Sequence, residues 1–442
     1  MIRKSSIAVP LLEPSTPADA QASPLLSDAA GIRLYVAFLF LGVGAVLPTF
    51  VIFAAVDYFT LISPSGSLEF EINAWFNGML FAVSVANALQ QQIGFTVRII
   101  WGFVATAACL VSVPVLGALL LGRGEEYASL HGRLLLLVAA LMGAANATSQ
   151  CSLFGLSSAA FPPAFTQALL TGVALCGTTI TLTRAALKLF VQDGLGGPSA
   201  YAFFLFSAAY SCGSAVVFWQ LRTRSDLFRA QLTAAVDTSP TLSRRAAARP
   251  GASPAPPLRR DATSFRARTL ALLLPAPGRR GVGEACVLLV IVNAQFTCVV
   301  PSMVGLTRDF IGEGWSHVLA ILAYNFSDLF ARAVLAPRWP CGLRATWPAV
   351  VLRLGLIAAV GLCAPPRVLS GSSAPLLAAL AALGSSTGYL SSCVMRTATA
   401  HVEPHDREAA GYLGVLSIFA GLIVGSVLAF PLAALVAGGT RR

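Results

Sequence analysis

Tyr324-Asn325-Phe326-Ser327-Asp328-Leu329-Phe330-Ala331-Arg332 puts an acid and a base inside a segment otherwise apolar enough to cross a membrane. Asp328 and Arg332 are four residues apart, which on a helix places both on one face. Each charge at the centre of a spanning helix costs roughly 2.5–3.5 kcal/mol on insertion scales. Such a pair turns toward the protein interior or a water-filled cavity, where it holds itself together or holds a ligand. The alternative is a structural ion pair that locks one helix to its neighbours.

The rest of the chain has the same character. Of its 442 residues 56% are hydrophobic and 11% charged, with a mean hydropathy of +0.75, far outside the soluble globular range. Apolar runs of about 18 residues or more recur, and no strand-length alternation repeats, so the spanning elements read as helices. The expected fold is all-α, a polytopic membrane protein. Spans fall near 34–58, 72–92, 99–121, 134–157, 163–188, 199–221, 285–306, 316–337, 345–363, 374–397 and 410–436, eleven in all. Phe161-Pro162-Pro163 is the breaker that separates the fourth from the fifth.

The net charge of +11 does not point to nucleic acid, because the positive residues gather in loops as membrane topology demands. The Lys and Arg excess puts the N-terminus and the central loop in the cytoplasm and, after an odd number of spans, the C-terminus outside. The organisation expected is a disordered cytoplasmic tail over 1–32 and an N-terminal bundle of six helices over 33–221. A flexible basic cytoplasmic loop follows over 222–283, then a bundle of five helices over 284–437 and an extracellular end at 438–442. The nine cysteines form no CxxC and lie mostly in apolar segments, so they read as small buried hydrophobes.

Polar residues within the spans are the candidates for function. The first span carries Gly42-Val43-Gly44, small residues that let helices approach, then Pro48 as a kink or gating point, and runs on to Asp57-Tyr58-Phe59. The fourth carries Asn146 and Gln150; the Gln150 amide can donate to and accept from a purine or pyrimidine edge, with interhelical bonding as the open alternative. The fifth has Gly172 and Gly177, with Arg184 and Lys188 expected to snorkel at its outer end. Arg353 sits well inside the ninth and needs an anionic partner or water, Asp328 being one candidate. The tenth is dense in small and hydroxyl residues from Gly384 to Ser392, and Gly421 to Gly425 of the eleventh is a GxxxG packing face. His401 and His405 flank Pro404, which interrupts the helix that a metal pair at this spacing would need. No metal, cofactor or enzyme chemistry is expected.

Taken in order, these stretches resemble one family, the equilibrative nucleoside transporters. The matching residues are Gly42 to Pro48 with Asp57-Tyr58-Phe59, Phe76-Asn77, Val97-Arg98-Ile99, and Gln150 to Leu156 with Pro162 and Thr171-Gly172. Tyr324-Asn325 through Asp328 and Arg332 follow, then Arg353, Gly388-Tyr389-Leu390, Ala410-Gly411, and Gly421 to Gly425. The resemblance implies a major-facilitator-like fold in which two helical bundles rock about a central site, so that a nucleoside or nucleobase crosses by alternating access. It implies hydroxyl contacts from Asp328 and Arg332 and base contacts from Gln150. Asn146, Asn325, Thr49 and Leu80 complete the expected binding set, and Pro48, Gly172, Arg353 and Asp57 are expected as structural or gating positions. Thr49 stands where the family has an aromatic residue, Thr387 where it has Asn, and one extra residue separates Leu156 from Pro162, departures that favour a divergent member. The expected partners are the nucleoside and the lipid bilayer, at the plasma membrane. Asp328 or Asp57 could carry a coupled proton, but passive exchange is the simpler expectation. A facilitator of another polar solute, such as a sugar, and a ligand-sensing receptor without flux are the other readings.

Overall fold

A computed structural model of the chain describes residues 28–55, 58–59, 62, 67–89, 94–120, 125–191, 198–238, 269, 271–273, 281–300, 304, 315–363, 372–400, 402–403 and 406–438. Regular structure among them is helical: α1 Ala29–Ala54, α2 Ser67–Leu89, α3 Phe95–Leu120, α4 Glu125–Ala160, α5 Pro163–Val191 and α6 Pro198–Arg224 precede a short α7, Asp226–Thr238. After the central loop come α8 Val282–Val299, α9 Trp315–Phe330, α10 Leu343–Leu362, α11 Ala374–Ala400 and α12 Arg407–Gly438. Ten of these helices are long and apolar enough to cross a membrane. The expected second span falls on α2, a further helix of 23 residues that is not among the ten. Large apolar side chains such as Trp101, Leu352 and Phe190 remain exposed on the helix faces, as they must where the surrounding solvent is lipid. The protein is an integral membrane protein.

Local chemistry sets the breaks. α4 stops at Ala160 and α5 starts at Pro163, where the missing N–H of proline is one the first helical turn would leave unpaired anyway. Pro48, Pro114, Pro348 and Pro431 lie inside helices that run on through them, which membrane helices tolerate when neighbours cover the freed carbonyl. The expectation of a structureless central loop fails for its first residues. Ser225 caps α7 by accepting from the Phe228 N–H at 3.2 Å, and Leu227, Phe228 and Leu232 fall on one face that packs beneath the bundle. Phe228 is buried against Phe38, Phe161 and Phe218.

Apolar helices gain nothing from leaving lipid for one another, so they associate by close packing of small residues. α1 lies along α5, where a Cβ at Gly42 would collide with the Leu169 carbonyl and one at Gly172 with the Leu39 carbonyl. α2 lies along α4 at Gly143, α8 along α12 at Gly421 and Gly425, and α9 along α11 at Gly384 and Gly388. The stretches before and after the central loop meet mainly where α5 packs on α9 and where α12 packs on α2 and α4.

Candidate functional site

The site is built on α9. Its face toward α5 and α11 buries Tyr324, Asn325 and Asp328, while Phe326 and Phe330 point outward. After Phe330 the helix widens into a π-turn over Ala331–Leu335, and one more helical turn ends at Arg338. Arg332 lies in that π-turn, and its Nε donates to both carboxylate oxygens of Asp328, at 3.0 and 3.2 Å. Asp328 is 5% exposed and Arg332 6%, so the pair is held inside the protein by mutual bonding, as the i, i+4 spacing predicts.

A second cation stands beside the first pair. Arg353 of α10 is 2% exposed; its Nη2 donates to Thr387 Oγ at 2.7 Å and its Nη1 reaches the Val292 carbonyl at 3.5 Å. It lies within electrostatic reach of Asp328 and Tyr324, and the Tyr324 hydroxyl approaches Thr387 from the other side. Thr387 therefore substitutes for a charged partner, and Asp328 balances Arg353 at longer range. Tyr324 also stacks on Phe296, with ring centroids 5.0 Å apart and planes at 16°.

Asn325 reaches the other half of the chain. Its Nδ2 donates to the Gly177 carbonyl at 3.1 Å and to Thr181 Oγ at 2.9 Å, both on α5. Toward the other end of the same antiparallel contact, Gln167 of α5 donates from Nε2 to the main-chain carbonyl of Arg332 at 2.9 Å. Asp328 and Arg332 are thus bracketed by two amide bonds between α5 and α9.

Other expected residues stand elsewhere. Asn146 and Gln150 are buried on α4, where Asn146 Nδ2 donates to Gln150 Oε1 at 3.5 Å; no hydrogen bond among the described residues joins either to Asp328 or Arg332. Thr49 and Leu80 are buried on α1 and α2. Pro48 lies within a continuous α1, and Gly172 serves the α1–α5 contact. Asp57, His401 and His405 lie outside the described residues. Lys188 sits over the Trp315 ring at 5.6 Å. Arg184, expected to snorkel, is instead buried, because α5 is enclosed between α1 and α9.

The wet chamber expected beside the ion pair is not open in this conformation. A cavity of about 10 Å³ lies among Phe53, Phe296, Thr181 and Asn325, and one of about 20 Å³ among Ser158, Thr166, Thr399 and Arg407. Each has room for about one water, and neither is lined by Asp328 or Arg332. The two charges are closed on each other, and a solute reaches them only if α9 parts from its neighbours.

Sequence reasoning passed over Gln167, and named Tyr324 and Thr387 without giving either a part in the site. Gln167 carried the same signal as Gln150, an amide at depth in an apolar helix, and Pro337 stood five residues beyond Arg332.

A profile of the family described as Nucleoside transporter matches residues 136–434, a region that holds Gln150, Asp328, Arg332 and Arg353. The chain is similar to equilibrative nucleotide transporter 8 of Arabidopsis thaliana, 22% identical over 89% of this chain and 93% of that protein. It is similar to equilibrative nucleoside transporter 4 of Homo sapiens, 26% identical over 90% of this chain and 82% of that protein. The protein of the same name from Danio rerio is 23% identical over 92% and 84%. With the profile running through most of its length and through both groups of buried polar residues, the chain belongs to the nucleoside transporter family.

Proposed function

We propose that this protein moves nucleosides, and nucleobases as a second class, across the plasma membrane by alternating access between two bundles, of six and five helices. In this reading α2 is a span, residues 1–32 and the loop over 222–283 are cytoplasmic, and the C-terminus is extracellular. Transport is passive exchange rather than proton-coupled. Asp328 and Arg332 bind the substrate hydroxyls, and Gln150 the base, with Asn146, Asn325, Thr49 and Leu80 around them.

The observation that carries this reading is the buried Asp328–Arg332 pair on the contact between α5 and α9, inside the region matched by the family profile. A ribose diol offers donors to a carboxylate and acceptors to a guanidinium. Parting α9 from α5 would let a substrate take over bonds that the two side chains now make to each other. Burying both charges without that exchange would be a costly way to fasten one helix.

Purified protein in liposomes tests the assignment with uptake of radiolabelled adenosine. Asp328→Asn and Arg332→Gln, which keep a hydrogen-bonding side chain at each position, should each abolish uptake by the fraction of protein that reconstitutes, and full uptake per reconstituted protein by both variants would reject the site. Competition by nucleosides, nucleobases, a nucleotide and glucose sorts the substrate class. Saturable binding with no flux would favour a receptor. Dependence on an imposed pH gradient would favour proton coupling through Asp328 or Asp57.

A further inference from the structure

We infer that Gln167 is a positioning residue for the Asp328–Arg332 site, and that it acts from α5 through the main chain of Arg332. The inference rests on the reading of that pair as the substrate site.

The reason lies in the backbone of α9. In the π-turn the Ala336 N–H bonds to the Ala331 carbonyl, five residues back. Continuing that pattern, the carbonyl of Arg332 would need the N–H of residue 337. Residue 337 is proline, which has none. The Arg332 carbonyl is therefore left without a donor from its own helix, on a residue that is 6% exposed, and a buried carbonyl must be satisfied from somewhere. Gln167 Nε2, at 2.9 Å, supplies the bond from 165 residues away.

Gln167 is not there for its own comfort. It is 9% exposed, and its Oε1 has no hydrogen-bond partner among the described residues. Half of a buried amide stays unsatisfied so that the other half can reach α9. The bond pins the peptide that carries the Arg332 side chain, and with it the direction from which Nε meets Asp328. Since α5 and α9 lie on opposite sides of the central loop in the chain, separating them frees the carbonyl and the ion pair together. When the halves close again over a bound substrate the bond is remade, and it is in that closed state that Gln167 aims Arg332.

The decisive comparison pairs Gln167→Leu with Pro337→Ala, measured as adenosine uptake by the reconstituted full chain. Gln167→Leu removes the donor and keeps the volume. It should raise the half-saturation concentration about tenfold, the factor expected when one charged hydrogen bond to the substrate is badly aimed, with the maximal rate per reconstituted protein held within about twofold. Pro337→Ala returns an N–H to the π-turn, so in its presence the same Gln167→Leu change should raise half-saturation by no more than about threefold. A merely structural glutamine would lower the amount of folded protein and leave half-saturation unmoved. An unchanged half-saturation in Gln167→Leu, or a loss that Pro337→Ala does not reduce, overturns the inference. Should Gln167→Leu fail to fold, Gln167→Met takes its place: half-saturation raised about tenfold supports the inference, and half-saturation unchanged overturns it. Arg332→Lys separates this failure from failure of the site itself: full uptake by Arg332→Lys removes the site, whereas its loss beside a neutral Gln167→Leu removes only the role given to Gln167.

Discussion

Within each half of the chain glycines mostly face backbone, whereas between the halves they face the tips of side chains. Gly42 and Gly172 abut the carbonyls of Leu169 and Leu39, Gly143 that of Phe76, and Gly421 and Gly425 those of Val290 and Ala294. Gly44 on the Ser214 hydroxyl, Gly117 on the Tyr201 and Tyr58 hydroxyls, Gly414 on the Met395 sulfur and Gly102 on Ser149 Cβ are departures inside a half. Across the halves, Gly177 meets the Asn325 amide and Gly411 meets the Ser158 hydroxyl. A main chain pressed on a main chain cannot move without parting two helix axes. A side-chain tip can leave its glycine by a rotamer change, which costs little and reverses. The backbone-on-backbone internal contacts are thus the harder to part, and the contacts between halves the easier.

The largest test asks on which side of that division the ion pair belongs. Arg332→Leu leaves Asp328 buried without its partner and should cost about 3–5 kcal/mol, enough to remove most folded protein in a detergent melting assay. Combining it with Asp328→Asn takes away both charges and should restore folding while uptake stays at background. If that double variant transports normally, the pair is a fastener like the glycine seams and the comparison breaks.

Next in size are the seams themselves. Gly172→Leu forces a side chain against the Leu39 carbonyl and should cost up to about 3 kcal/mol by overpacking, read as a lowered Tm with the half-saturation of the remaining protein unchanged. Asn325→Leu should cost less. It gives up two bonds to α5, at about 0.5–1.5 kcal/mol each, and leaves the seams intact. Its effect should appear as altered access: a cysteine placed at Ile321, beside the cavity that Asn325 lines, should react about tenfold faster with a water-soluble thiol reagent. A change in Tm with no change in labelling would mean that this bond is one more permanent fastener.

What could be read in the sequence follows the same division. The helices, the Pro162 break and the shared face of Asp328 and Arg332 depend on spacing along one chain, and spacing is visible. Small residues at Gly42, Gly172, Gly421 and Gly425 announced close packing, though not against which carbonyl. α7 was hidden because its short apolar face, Leu227, Phe228 and Leu232, is followed at once by residues rich in Arg, Pro and Ala. Gln167 was hidden for a deeper reason. Its role exists only because Pro337 and a π-turn together strand a carbonyl on another helix, and that requires the three-dimensional register of α5 on α9. Arg353 was legible as a buried charge, but its use of Thr387 as a neutral acceptor was not.

The smallest effect gives the sharpest version of the comparison, because it uses one substitution at two glycines of the same helix. Gly421→Ala on α12 puts a methyl group against the Val290 carbonyl and the Asn293 and Ala294 atoms around it, neighbours that belong to the facing helix and cannot step aside. It should cost about 1–3 kcal/mol. Gly411→Ala, nearer the α12 N-terminus, meets Ser158 Oγ and Cβ first, with the next neighbour, the Phe154 carbonyl, at 3.5 Å. The Ser158 hydroxyl has no hydrogen-bond partner among the described residues, so turning it away breaks no bond there, but Ser158 Cβ stays in the way and α4 must yield, so the cost should also be about 1–3 kcal/mol. Ser158→Gly removes both atoms that Gly411→Ala meets, and should abolish most of the penalty in a double-mutant cycle of melting temperatures. The corresponding cycle of Gly421→Ala with Asn293→Ala should show little coupling, since the backbone of α8 stays where it is. No coupling between Ser158 and Gly411 would mean that the meeting of the halves at α12 is as fixed as the seams within them.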